Sequence, residues 1–152
     1  MKIETLRDLL HWSQDLHRYL GQCLDHCADK NTSERARLVL AYLADHEKLL
    51  LQVIEGFEGL SASQALNTWC IEYLDKRPID PHRHCSAPFA ELDSEQIVQQ
   101  VVGMHGEIID LYRHLAARVD TTAAQNLVGT LLSIEEHELK RLVQTTNRFN
   151  DM

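Results

Sequence analysis

The sequence lacks the features that mark several large classes of protein. No segment approaches the roughly 20 consecutive apolar residues that a membrane-spanning helix needs, and the charged first turns, residues 1–8, do not form a signal peptide. No stretch concentrates lysine and arginine, and the net charge of −8 disfavours binding to nucleic acid or to an anionic membrane surface. These absences predict a cytoplasmic protein with no nucleic-acid partner and no membrane partner.

Cysteine and proline are both scarce. The four cysteines, Cys23, Cys27, Cys70 and Cys85, contain no C-x-x-C pair, so we expect reduced thiols rather than a disulfide framework. All three prolines lie within residues 77–92, which predicts an irregular loop there. No stretch alternates apolar and polar residues as a half-buried strand does, so a sheet is not expected.

Helical periodicity dominates the rest of the chain. Apolar residues recur every three or four positions over about 3–27, 31–57, 94–119 and 122–149, and a shorter helix is expected from about 62 to 76. Asn31, Asp93 and Thr122 each precede a Glu or Gln by three residues, which is the spacing of a capping box. The 152 residues therefore predict one all-α domain: an up-down four-helix bundle with a long crossover, about residues 60–92, containing a short helix.

The four long helices form two consecutive hairpins. Displacing the second helix by 92 residues places Leu43 on Glu135 and His46 on Glu138, which suggests a duplicated plan, although amphipathic helices also match by chance. A helix of about 24 residues is roughly 36 Å long, and the crossover is long enough to run back along it. This length permits the third helix to start at the same end of the bundle as the second.

Each long helix carries polar residues at mid-length on its inward stripe. They are Ser13 and His17, then His46, then His105 and Tyr112, then Glu135 and Glu138. Equal depth in helices of similar length would place these groups in one layer, and helical bundles build metal sites in such layers.

Two ionised carboxylates in an apolar layer require compensating positive charge. A transition metal supplies it, and mixed His and Glu ligands suit iron, zinc or manganese. The predicted ligands are His46, His105, Glu135 and Glu138, with His17 as a further one. The alternative is a metal-free network in which imidazolium and carboxylate groups neutralise each other.

These two hypotheses predict different functions. With metal, the layer would support redox chemistry or metal handling; without it, the bundle would be a scaffold whose surfaces bind a partner. The sequence specifies no small-molecule substrate and does not decide whether the protein is an enzyme. A weaker metal-site candidate is the loop from His82 to Cys85.

The architecture resembles the ferritin-like superfamily, and residues 134–142, IEEHELKRL, resemble the last helix of rubrerythrin-type members. The resemblance implies two irons held by a Glu on the first and third helices and a Glu-x-x-His on the second and fourth. The matching positions are Leu43-x-x-His46 and Glu135-x-x-Glu138, so the di-iron ligand set is incomplete. Ferroxidase or peroxidase activity is not implied, and the C-x-x-C pairs of a rubredoxin-like module are absent.

A hemerythrin-like bundle is the other helical iron fold to consider. His105 and Asp110 have one of its spacings, H-x-x-x-x-D. The chain contains no H-x-x-x-H, so this alternative is disfavoured.

A second set of apolar residues lies off the inner stripes of the helices. They are Leu9, Leu16, Cys23, Leu40, Leu51, Leu132 and Val143. A monomer would expose this strip to water, which predicts self-association as a homodimer.

Overall fold

The computed structural model describes residues 3–74 and 88–150. Its helices are α1 (Leu6–Lys30), α2 (Glu34–Leu60), α3 (Ser63–Leu66), α4 (Ile71–Leu74), α5 (Ser94–Ala116) and α6 (Thr122–Asn150). Within the described residues, strand-like pairing is limited to one antiparallel bridge between Thr5 and Trp69. The predicted all-α class is confirmed. No helix in this part of the chain is long and apolar enough to cross a membrane.

The capping boxes expected from the sequence are correct at one helix and wrong at two. At α5 the Asp93 side chain accepts a hydrogen bond from the Gln96 backbone and the Gln96 side chain accepts one from the Asp93 backbone. Ser33, not Asn31, caps α2, because its hydroxyl accepts a hydrogen bond from the backbone of Ala36 at 3.3 Å. At α6 the capping hydroxyl belongs to Thr121 rather than to Thr122.

Asn31 has a different role, at the junction of the first hairpin with the crossover. Its side-chain amide donates hydrogen bonds to the carbonyl oxygens of Phe89 and Leu92, each at 3.1 Å, and its oxygen accepts one from the backbone N–H of Ser33. The buried Asn31 therefore ties the end of the crossover to the α1–α2 turn.

The described part of the crossover contains two one-turn helices, α3 and α4, instead of one helix starting at about residue 62. The chain between α3 and α4 is extended and pairs with the segment before α1: the backbone N–H of Leu6 donates to the Thr68 carbonyl and that of Cys70 donates to the Glu4 carbonyl. Those hydrogen bonds compete with a continuous helix, so the helix is interrupted. Residues 75–87, which include His82 and Cys85, lie outside the described residues.

The core consists of two apolar clusters separated along the bundle. One cluster gathers the start of α1, the end of α2, the end of α5 and the start of α6, while the other gathers the opposite halves of the same helices. Helix α1 packs along α2 and α5 along α6. Because the two clusters place the ends of α2 and α5 together, these helices run in the same direction, which the length of the crossover permits.

Two expectations about burial and cysteine chemistry need correction. Leu9, Cys23 and Leu40, which were expected on an exposed apolar strip, are buried inside the chain. Cys23 is disulfide-bonded, so the prediction that every cysteine is reduced is wrong there, whereas Cys27 and Cys70 form no disulfide.

Candidate metal centre

Four ionisable side chains occupy the layer between the two apolar clusters, one from each long helix. They are His17 of α1, Glu47 of α2, His105 of α5 and Glu135 of α6, and the side chain of each is at most 1% exposed. The leucines, isoleucines and valines above and below them exclude water from both sides. We call these four residues the central ring.

The central ring is a closed circuit of hydrogen bonds. His17 contacts Glu47 through Nδ1 and Glu135 through Nε2, both at 2.6 Å. His105 contacts Glu135 through Nδ1 at 3.2 Å and Glu47 through Nε2 at 2.5 Å. Each imidazole lies between two carboxylates and each carboxylate between two imidazoles, and the two imidazole rings stack with centroids 5.4 Å apart.

The histidines and carboxylates of the ring stabilise each other in their charged forms. Burial alone would lower the pKa of His17, but the carboxylates of Glu135 and Glu47 raise it to about 10. For His105, burial is likewise outweighed by Glu47 and Glu135, and the pKa rises to about 9. The two imidazoliums in turn hold the pKa of each carboxyl group at about 2 against the opposing effect of burial. Without metal, the ring therefore holds two imidazoliums and two carboxylates, with no net charge.

The spacing of the ring members shows an internal symmetry. Glu47 follows His17 by 30 residues, and Glu135 follows His105 by 30. His105 follows His17 by 88 residues, and Glu135 follows Glu47 by the same number. Each hairpin thus contributes one His and one Glu in the same register, and the displacement by 92 residues inferred from the sequence is wrong by one helical turn.

A neutral polar pair lies on one side of the ring. The hydroxyl of Tyr112 donates a hydrogen bond to the hydroxyl of Ser13 at 2.7 Å, and both residues are fully buried. Ser13 precedes His17 by one turn of α1, while Tyr112 follows His105 by two turns of α5. Ser13 and Tyr112, which sequence periodicity placed on the inward stripes with the histidines, therefore hydrogen-bond to each other.

The structure brings together three of the five residues predicted as ligands. His17, His105 and Glu135 belong to the central ring, whereas His46 and Glu138 form a separate pair closer to the surface, with His46 Nε2 3.4 Å from Glu138 Oε2. Glu47 was missed. It is fully buried, and its position four residues after Leu43 fits the inward stripe of α2 as well as that of His46 does.

Comparison with known proteins adds information at the level of structure. No protein-family model matches the sequence, and no curated protein matches it. A solved structure from Thermotoga maritima, described as a ferritin-like diiron-carboxylate protein, matches with a TM-score of 0.57 at 13% sequence identity. The match covers 94% of this chain and 95% of that one. The chain has the ferritin-like fold.

The central ring changes how the chain matches the ferritin-like ligand pattern. In the pattern that the sequence resemblance implies, the second-helix segment level with Glu135 is Glu47-x-x-Leu50, not Leu43-x-x-His46, because His17 contacts both Glu47 and Glu135. Both acids of the two Glu-x-x-His motifs are therefore present and both histidines are replaced. On the first and third helices of this ferritin-like bundle, His17 and His105 occupy the layer where that pattern has Glu.

The donor set of the ring fits a transition metal. Ligand atoms of His17, Glu47 and His105 all lie within 4.8 Å of one another, and Glu135 hydrogen-bonds to both histidines. Imidazole nitrogen and carboxylate oxygen together suit iron, zinc and manganese. The ring can therefore supply three converging protein ligands to a divalent ion, with the Glu135 carboxylate beside both histidines.

Proposed function

We propose that this ferritin-like protein binds a transition metal, iron, zinc or manganese, at the central ring and uses it for redox chemistry or metal handling. His17, Glu47, His105 and Glu135 are the proposed ligands. The observation that carries the proposal is the convergence of one ligand from every long helix in a single dry layer. The description of the Thermotoga protein as a diiron-carboxylate protein supports it, while closer kinship to rubrerythrins and a cytoplasmic location stay predictions.

Charge balance permits one divalent ion in the ring. The ring is neutral when both histidines are protonated, and one divalent ion in place of two protons leaves it neutral again. A second ion would add two positive charges, so it would need another anion, and Glu138 is one helical turn from Glu135. Substitution of protons by metal therefore costs no net buried charge for the first ion.

A metal-free scaffold is the second candidate function, and a specific observation favours it. Both nitrogens of each ring histidine and both oxygens of each ring carboxylate are already paired. A fully satisfied buried network is stable without metal and helps to specify one packing of the helices. In that case function would lie in a surface such as the exposed face of α2.

Metal content distinguishes the two functions. Protein purified without an affinity tag is expected to contain stoichiometric metal by elemental analysis, and added metal is expected to raise the melting temperature because it binds only the folded site. Glu135→Gln should abolish both effects. Glu136→Gln is the matched control. Glu136 is next to Glu135 in the sequence, but its side chain pairs with Arg113 at the surface.

The following result would favour the metal-free scaffold. In it, native protein carries no metal, and iron, zinc and manganese each leave the melting temperature unchanged. The wild-type measurement decides this even if Glu135→Gln folds poorly.

A further inference from the structure

A pocket opens between α2 and α6 beside the central ring. It has a volume of about 360 Å³ and is lined by His46, Leu49, Gln52, Val53, Glu138 and Arg141. Two of these side chains, His46 and Glu138, carry transition-metal donor atoms. A second groove, between α5 and α6, is lined by Arg113 and Lys140 and contains no histidine.

His46 is the unusual member of this pocket. Its side chain is only 7% exposed, yet Nε2 has no hydrogen-bond partner among the described residues. A buried polar atom without a partner destabilises the fold, so native proteins seldom retain one without a reason. A ligand that reaches Nε2 through the pocket would satisfy it.

The distance from His46 to Glu138 suits a metal better than a hydrogen bond. His46 Nε2 and Glu138 Oε2 are 3.4 Å apart, which is longer than the usual N–H···O distance. Two ligands of a tetrahedral ion, each about 2.0–2.2 Å from the metal, lie about 3.3–3.6 Å from each other. The pair therefore has the separation of two adjacent ligands of one ion.

The surroundings of Glu138 leave it accessible. Its other oxygen, Oε1, accepts a hydrogen bond from Arg141 at 3.4 Å, and the Arg141 side chain is 61% exposed. A solvated arginine at that distance holds its partner weakly, so it can move aside for a cation.

The position of the pair links the pocket to the ring. His46 directly precedes Glu47 in α2, and Glu138 follows Glu135 by one turn of α6. The ring members themselves are closed off from solvent, so an ion has to approach them past neighbouring side chains. The His46–Glu138 pair is therefore one residue or one helical turn from a ring member on each helix, and it is more exposed to solvent than the ring is.

We propose that His46 and Glu138 form an outer transition-metal site through which a divalent ion reaches the central ring. Two protein ligands and water molecules would complete the coordination, which permits the ion to be released inward. The loading role rests on the proposed function of the ring, whereas the outer site itself does not.

Zinc titration of protein labelled with ¹⁵N at histidine tests the outer site. The Nε2 resonance of His46 should shift on addition of Zn²⁺, and this shift should be absent in Glu138→Gln. His137→Gln is the matched control, because His137 is exposed and adjacent to Glu138. A His46 resonance that ignores Zn²⁺ in the wild-type protein would overturn the outer site.

The rate of cobalt uptake, followed by the visible absorption of bound Co²⁺, tests the loading role. His46→Gln and Glu138→Gln should load the ring more slowly than the wild-type protein and reach the same final occupancy, because each removes a ligand of the outer site and leaves the ring intact. His137→Gln should load at the wild-type rate. Equal rates in all four proteins would overturn the loading role and leave the ring function standing. If the ring takes up no metal while the His46 resonance shifts with Zn²⁺, the ring function is overturned and the outer site stands.

Discussion

At the scale of single residues, Glu47 is the side chain on which the central ring depends most visibly. It accepts hydrogen bonds from both ring histidines and is fully buried. Its neighbour His46 lies outside the ring, so two adjacent residues of α2 have different environments. A change at Glu47 therefore removes hydrogen bonds of the ring and leaves the His46–Glu138 contact in place.

We expect Glu47→Gln to destabilise the metal-free protein by about 3–5 kcal/mol, because removing one partner leaves buried imidazolium charge uncompensated. Urea denaturation followed by circular dichroism near pH 6 measures this. Glu55→Gln is the control: Glu55 pairs with Arg18 at the surface, both side chains are 46% exposed, and its loss should cost less than about 1 kcal/mol. A similar small loss in both variants would show that the ring contributes little to stability.

At the scale of helices, the ring is a polar layer that fixes the depth of four helices relative to one another. Sliding one helix by a turn would separate a carboxylate from its two imidazoles and bury both unpaired. The apolar clusters on either side tolerate such a shift more easily, since leucine and isoleucine contacts are not directional. The layer therefore contributes specificity to the packing.

The stability of the metal-free protein should depend on pH in a way that follows from this layer. The ring carboxyls have their pKa lowered from 4.5 to about 2, so their contribution is present above pH 4.5 and is lost as pH falls toward 2. The pKa of His17 is raised from 6.5 to about 10 and that of His105 to about 9. Their contribution to stability is therefore fully present below pH 6.5 and is lost as the pH rises from 6.5 to about 10. The free energy of unfolding should therefore be greatest between about pH 4.5 and 6.5.

Chemical denaturation of metal-free protein across pH 3 to 10 checks this expectation. Protein with metal in the ring should behave differently, because metal requires unprotonated histidines and its contribution grows as pH rises above 6.5. A metal-free protein whose stability is flat from pH 6 to 10 would contradict the paired imidazoliums.

At the scale of the whole molecule, the exposed apolar surface is concentrated on α2. Leu38, Leu49, Val53 and Leu60 are between 48% and 90% exposed, and they recur on one side of the helix. This strip is different from the one that the sequence suggested, part of which is buried in the core. The homodimer stays a prediction, now argued from α2.

Sedimentation equilibrium at tens of micromolar tests the dimer. The wild-type chain should sediment as a dimer, and the double variant Leu38→Gln, Leu60→Gln should shift toward monomer because it removes apolar area from the strip. Met104→Gln, at an exposed apolar position of α5, is the control. A monomeric wild-type chain would exclude this form of self-association.

The sequence by itself determined the helices and much of the layer. Periodicity placed His17, His105 and Glu135 on inward stripes, and the length of the crossover permitted α2 and α5 to run in the same direction. These features are local or depend on chain length, so they can be read without knowing which helices touch. The family resemblance also correctly indicated the ferritin-like fold.

Only the tertiary structure decided between His46 and Glu47. Leu43 and Leu50 flank both residues at helical spacing, so either side chain could face inward, and a rotation of α2 by about 100° exchanges them. Packing fixes that rotation: with Leu43, Leu50 and Ile54 in the core, Glu47 faces the ring, Val53 is half exposed and His46 lies beside the α6 helix at the pocket. The choice depends on contacts with His105 and His17, which are 58 and 30 residues away along the chain. The periodicity of one helix does not specify contacts at such sequence separations.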